Sequence, residues 1–260
     1  MALTKKRLDQ IAADYHTADN VPDKSIEDAL QVHSLGWIRE QLADCETVLE
    51  LGYGEGIVTE HLVTSGKTVT QLEGSSILVK KVQDRYGSRV SSVHGLFEEF
   101  TPNQRFDAVL ASHVLEHVDE PVALLKRMRS WVKPGGRVLI IVPNSESIHR
   151  RLAVLMGLQP RPDSLSARDM LVGHQRVYSL SGLLAHVNAG GFDVISARGF
   201  FFKPLANSMM LHFSPPLIEA MNEIASSMPA EWLANLGLVV APRAPRNTRS
   251  TARKVAPGGD

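Results

Sequence analysis

The chain has 260 residues, with 28 Lys and Arg against 28 Asp and Glu and a hydrophobic fraction of 43%. This is the composition of a soluble globular protein, and it excludes a strongly basic nucleic-acid binder and an acidic disordered chain. No apolar run approaches the roughly 20 residues that cross a bilayer. A single cysteine, Cys45, excludes an internal disulfide and a multi-cysteine zinc site, and fits a reducing, cytoplasmic setting. The opening MALTKKRLDQIAADYH has charges but no apolar core after them, so no signal peptide is expected.

Two helical patterns occupy residues 1–44. Leu8, Ile11, Ala12 and Tyr15 share one helical face. Ile26, Leu30, His33 and Trp37 share another, with Ser25 as the expected N-cap and Asp28 three residues on. Apolar strands then alternate with helices. Thr47–Leu51 is a strand that runs into a glycine-rich turn, and a helix follows to about Thr64. Residues 67–72 and Val90–His94 form the second and third strands, separated by a helix over 75–86. Residues 106–111 form the fourth, and a helix over 121–132 stops at Pro134-Gly135-Gly136. Residues 137–143 (RVLIIVP) are apolar on both faces, as a central strand is. A helix over 179–189, a strand over 192–202 and a last strand over 236–241 complete the series. This alternation predicts an α/β fold, a doubly wound seven-stranded sheet with helices on both faces.

Two segments exceed the minimal alternation, residues 144–173 and 203–235. Both leave from the carboxyl ends of strands, where open α/β sheets bind ligands, so they are expected to cover a substrate. The last twenty residues hold five Lys and Arg, one Asp and three Pro. Residues 242–260 therefore read as a disordered basic tail on a body of net charge −4.

Val48-Leu49-Glu50-Leu51-Gly52-Tyr53-Gly54-Glu55-Gly56 carries the strongest chemical signal. Glycine at three alternate positions after a strand lets a ligand approach the backbone, and the next helix offers free N–H groups to anionic atoms. A dinucleotide fingerprint needs its third glycine one position later, where Ile57 stands, and no phosphate-loop Gly-Lys-Ser/Thr follows. Glu73 ends the second strand, beside the first in a parallel sheet, and its carboxylate can accept two hydrogen bonds from a ribose diol.

These residues resemble the class I S-adenosylmethionine-dependent methyltransferases, in the compact single-domain branch similar to methyltransferase type 11, with a Rossmann-like sheet. The run 50–56 is similar to the family's first motif, with Tyr53 where Cys or Ser is usual. Ser112-His113-Val114-Leu115-Glu116-His117 resembles the motif after the fourth strand. Trp131-Val132-Lys133-Pro134-Gly135-Gly136 resembles the turn before the fifth. The likeness runs from roughly residue 35 to 241. It implies a methyltransferase domain over 45–241, N-terminal helices over 1–44 covering the cofactor cleft, and S-adenosylmethionine as cofactor. It assigns cofactor contacts to Glu50, Gly52, Tyr53, Gly54, Gly56, Glu73, Gly74, Leu96, Phe97, Ser112 and His113. The family often has Gly-Asp after the third strand, the Asp holding the adenine. Here Gly95-Leu96 stands instead, leaving backbone groups, packing by Leu96 or Phe97, or Glu98 to do it.

Methyl transfer from a sulfonium needs alignment, exclusion of water and, for a hydroxyl acceptor, removal of a proton. Histidine is the usual base, and ten are present. His117 reads as structural, and His16, His33 and His113 as possible cleft residues. His174, in Gly173-His174-Gln175-Arg176-Val177-Tyr178-Ser179, is the first choice on the acceptor side, with an architectural role as its rival. His113 is the second catalytic candidate. His149, Arg150, Arg176 and Tyr178 are candidate substrate contacts, arginine suiting carboxylate or phosphate groups. Residues 148, 152 and 155 share an apolar helical face. No acid cluster suggests magnesium, so no metal is expected. The expected activity is O-methylation of a small molecule, a sugar, glycan or secondary-metabolite hydroxyl, with neither a membrane nor a nucleic acid as partner. The alternatives are an amine methyltransferase, an RNA or protein methyltransferase using the tail, and a non-catalytic cofactor binder.

Overall fold

The computed structural model describes residues 3–18, 21 and 23–244. Helix α1 (Lys5–Ile11) passes into a π-helical turn over Ala12–His16, and α2 (Lys24–Gln41) follows. The sheet then begins with β1 (Thr47–Leu51), α3 (Ile57–Thr64), β2 (Thr68–Glu73), α4 (Ser76–Tyr86), β3 (Val90–His94) and β4 (Phe106–Ser112). Next come α5 (Pro121–Trp131), β5 (Val132–Pro143), and, in the first insertion, α6 (Ile148–Leu155) and α7 (Ala167–Leu171). Helix α8 (Leu180–Ala189) and β6 (Phe192–Phe200) precede the second insertion, with α9 (Asn207–Met210) and α10 (Pro215–Ala225). Strand β7 (Asn235–Pro242) closes the sheet.

The strand order is β3-β2-β1-β4-β5-β7-β6. Strands β1 to β5 pair in parallel, while β7 runs antiparallel between β5 and β6. The reversal follows from the second insertion, which leaves β6 at its carboxyl end and returns there, so β7 needs no crossover. Both insertions therefore stand at the carboxyl edge, as expected, on the same side as the glycine turn. One face of the sheet packs against Leu124, Leu125, Met128 and Trp131 of α5 and Leu183 and Val187 of α8. The other packs against Trp37, Ile38 and Leu42 from α2 and the chain just past it, Val58 and Leu62 of α3, and Leu78, Val82 and Tyr86 of α4. Each fully buried large apolar side chain contributes about 1.5–3 kcal/mol, so this double layer holds the strand ends rigidly in register. A third cluster joins Ile26 and Leu30 of α2 to Phe201, Met210 and Met221, which seats the second insertion on the N-terminal segment.

Several expectations are corrected at element boundaries. Asp23, not Ser25, stands at the N-cap of α2, and its side chain pairs with Arg168 instead of capping a backbone N–H. Ser75 and Ser179 cap α4 and α8 from outside, each accepting a backbone N–H. Strand β5 starts at Val132, so Pro134-Gly135-Gly136 lies inside it, at a register shift against β4. Glycine is required at Gly136, since a Cβ there would stand 2.5 Å from the Asp107 carbonyl oxygen. The expected tail falls mainly outside the described residues. Its first two residues are fixed, Pro242 within β7 and Arg243 bonded to Gly191, Asp193 and Asn188.

Candidate active site

The turn after β1 sets the backbone of Gly52, Gly54 and Gly56 at φ of 77°, 53° and 78°. At Gly52 and Gly54 the position of a Cβ is clear of other atoms to 4 Å, and both line a cavity of about 740 Å³. Gly56 serves differently from expectation. It is not among the cavity's lining residues, and a Cβ there would stand 2.3 Å from Tyr53 Oη. It makes room for the Tyr53 ring, which folds back over the start of α3. Gly74 also has a local reason: Leu8 of α1 presses its Cδ1 to 2.4 Å from where a Cβ would be.

Glu50 and Glu73 stand on adjacent strand ends, in register through Leu51 and Leu72. Glu50 is 3% exposed, and among the described residues its carboxyl takes one hydrogen bond, from Thr59 Oγ1 at 2.7 Å. Burial pushes its pKa up to about 8, so this carboxyl is mostly protonated at neutral pH. Glu73 accepts the backbone N–H of Tyr53 at 2.9 Å and of Ser75 at 2.7 Å, one on each oxygen. Burial raises its pKa and these two donors oppose the rise. Each oxygen keeps a second lone pair for a ligand hydroxyl. Leu96, Phe97, Glu98 and Glu99 follow β3 along the same wall.

Ser112 and His113 leave β4 into the cavity. His113 takes φ of 55°, a left-handed conformation uncommon outside glycine, and is held there by its N–H to the Ile141 carbonyl at 2.8 Å. Its Nδ1 lies 3.2 Å from Oε1 of Glu116, a fully buried carboxylate. Burial opposes protonation of His113, but the hydrogen bond and charge of Glu116 outweigh it and raise the pKa. His117 is held neutral, its pKa lowered to about 4 by burial.

His174 comes to this cluster from the far end of the first insertion. The run after it is stitched to the turn beyond β4. Gln175 N–H donates to the Glu116 carbonyl, and the Arg176 guanidinium donates to the carbonyls of Leu115, Val118 and Asp119. Tyr178 is buried, its hydroxyl directed to Leu115 and His186. Arg176 and Tyr178 are therefore not cavity residues, which corrects the expectation that they touch substrate. What they do is place His174. Its ring packs edge-on against His117, with centroids 4.7 Å apart. Its Nδ1 lies 2.8 Å from Asp169 Oδ1, and its Nε2 lies 4.0 Å from Glu116 Oε1. Burial opposes ionisation of Asp169, yet the His174 hydrogen bond, the Arg150 charge and the Ser166 donors hold it far below the usual carboxylate range. An ionised Asp169 can only accept, so His174 Nδ1 is the donor in this bond and Nε2 is left facing Glu116.

Arg150 lines the cavity, but its guanidinium is engaged by Asp169 at 2.6 Å and by the carbonyls of Pro162 and Ser164. It organises the insertion and has little left for a substrate. His149 also lines the cavity, whereas His33 bonds to Asn222 and packs on Phe201 outside it. Residues unforeseen from sequence reach the cavity too: Glu27, Arg168, Asp169 and Lys203. Asp169 had a readable signal, the Ser166-x-x-Asp169 capping box of α7. A carboxylate oxygen of Glu116 and ring nitrogens of His117 and His174 lie within 4.8 Å of one another. This mixed donor set could hold a divalent cation and was not anticipated by searching for clustered acids.

A family model described as a methyltransferase domain matches residues 17–197. The ubiquinone biosynthesis O-methyltransferase of Paracidovorax citrulli is 28% identical over 192 residues, covering 68% of this chain and 76% of the relative. The enzyme of that name from Azorhizobium caulinodans is 27% identical over 165 residues, 61% of this chain and 63% of its own length. The chain thus spans less than two thirds of that relative. Among solved structures, the CcbJ methyltransferase of Streptomyces caelestis superposes with a TM-score of 0.59 at 18% identity, covering 91% of this chain and 98% of the other. The Burkholderia thailandensis 1,6-didemethyltoxoflavin-N1-methyltransferase, with S-adenosylhomocysteine bound, gives 0.60 at 18% identity, covering 90% and 86%. The [4+2]-cyclase SpnF gives 0.60 at 15% identity, covering 94% and 98%, so one fold spans more than one reaction.

Proposed function

This chain belongs to the methyltransferase-domain family and takes S-adenosylmethionine as cofactor, and on that premise we propose that it methylates a hydroxyl oxygen of a small molecule with His174 as the base. The carrying observation is the Asp169–His174 hydrogen bond, which orients the imidazole of a histidine that lines the cavity. The residues present fit the cofactor. Gly52 and Gly54 leave room beside the turn, buried Glu73 has lone pairs for the ribose hydroxyls, and Glu50 on the same cavity would meet the methionine ammonium. Bound S-adenosylmethionine supplies a methyl group on a good leaving group.

The protein's own part is to orient and deprotonate the acceptor. Nε2 of His174 takes the hydroxyl proton, and Asp169 stabilises the imidazolium that forms. The N-terminal segment contributes Leu3, Leu8, Ile11, Tyr15 and His16 to the cavity wall and so keeps water out. The two ubiquinone O-methyltransferase relatives speak for an oxygen acceptor, the toxoflavin N1-methyltransferase shares the fold alone, and no cited name speaks for a sugar.

Full-length protein incubated with methyl-labelled S-adenosylmethionine and a panel of phenols, sugars and amines tests this reading. Label on a hydroxyl oxygen is expected. His174→Ala should lower kcat by about 10²–10⁴-fold and leave S-adenosylhomocysteine affinity unchanged. Label confined to amines, or an unaffected rate in His174→Ala, would contradict it.

A further inference from the structure

Lys203 follows β6 directly after Phe201-Phe202, and the left-handed turn at Phe201, φ 64°, sends the chain to the cavity. The residue is only 9% exposed. Among the described residues the acid nearest its ammonium is Glu27, with Oε1 at 3.9 Å, beyond hydrogen-bond reach, and Asp23 acts on it from farther off. Glu27 is already served by the Asn207 side-chain amide and by Arg168 Nε at 3.6 Å. Among the described residues no acceptor takes any of the three Lys203 N–H groups. Burial lowers the pKa of this ammonium, which an anion placed beside it would raise again. Nearby on the same cavity is His149 of α6, whose Nδ1 is buried and has no partner. Burial and the Lys203 charge keep this imidazole neutral, with a single N–H to donate.

We infer that Lys203 and His149 form an anion subsite for a carboxylate on the acceptor, so that the substrate is a hydroxy acid. The inference rests on the hydroxyl-acceptor reading for the other half of the molecule. One ammonium and one neutral imidazole match the two oxygens of a monoanion. A phosphate dianion would need more donors and would be repelled by Glu27 about twice as strongly as a monoanion. Arg150 and Arg168, the cations that sequence chemistry would favour for this duty, are tied to Asp169 and to Asp23.

Calorimetry on the full chain saturated with S-adenosylhomocysteine tests the subsite directly. The probes are hydroxybenzoates, hydroxycinnamates and uronic acids, each paired with its neutral carboxamide. At least one acid should bind more than about tenfold more tightly than its amide. Lys203→Met should bring the pair within about twofold, and Lys203→Arg should restore part of the preference. Unchanged S-adenosylhomocysteine affinity certifies the variants' fold, and His149→Leu supplies the same comparison where Lys203→Met fails that check. No acid bound, amides equal to acids, or a preference that survives in Lys203→Met would overturn the subsite. Acid-selective binding with label found only on amines would instead overturn the hydroxyl reading and leave the subsite standing.

Discussion

Glu50 shows what a single buried group contributes. Its folded pKa of about 8 lies above the ordinary glutamate value of 4.5 because burial disfavours the charge. The sign follows: stability from the protonated form is complete below the ordinary value and is lost as pH rises through about 8. An ammonium brought to this carboxyl reverses the preference and drives its proton off. S-adenosylhomocysteine binding at pH 7 should therefore release close to one proton, and affinity should rise with pH up to about 8. Titrations in buffers of different ionisation enthalpy measure the release, and a buffer-independent heat would contradict it. The cofactor-side residues were largely legible in the sequence because their chemistry is local. A strand end, a glycine turn and an acid on the next strand are fixed by adjacent residues. The Asp169–His174 pair was only half legible, since a histidine near a helix start does not say which carboxylate it will meet.

The first insertion turns a sequence pattern inside out. The apolar face expected at 148, 152 and 155 does not carry through to its end, where Leu155 is 82% exposed. The buried side chain of α6 is instead Arg150, which binds Asp169 and two carbonyls and so pins the loop to α7. Hydrophobic periodicity cannot reveal a buried ion pair, because the partner lies across a loop. Replacing Arg150 by Met leaves Asp169 buried with less compensation and should cost about 3–5 kcal/mol. Hydrogen exchange should show the loss concentrated in residues 148–174, with acceptor KM raised and cofactor affinity held. Faster exchange spread evenly through the sheet would contradict that local role. The strongly depressed pKa of Asp169 sets the pH sense: its stabilisation is present above the unfolded value near 3.9 and is lost as pH falls below it toward the folded value. Acid should thus loosen this insertion, and Arg150→Met should be less sensitive to acid than the parent.

At the scale of the molecule, the sheet was readable from alternation and a cover over the cleft was expected from the resemblance, while the antiparallel β7 and the contacts that seat the N-terminal segment were not. Closure depends on contacts between distant segments: Leu8 against Gly74, Ile11 against Gly173, and the Arg168 guanidinium donating to the Tyr15 hydroxyl at 2.5 Å. Together they fasten the N-terminal segment to the chain just after β2 on one side and to the first insertion on the other. Deleting residues 1–17 should leave the sheet folded but speed S-adenosylhomocysteine dissociation by about tenfold or more, measured by stopped flow. An unchanged rate would show that the segment does not close the cleft. The central claim is that the turn after β1 and Glu73 bind S-adenosylmethionine, and it is tested most directly by titrating the protein with S-adenosylhomocysteine. The parent should bind at about micromolar Kd, and Glu73→Ala, which removes two charge-assisted hydrogen bonds to the ribose, should lose about 100-fold in affinity. No binding by the folded parent, or equal binding by Glu73→Ala, would contradict the claim.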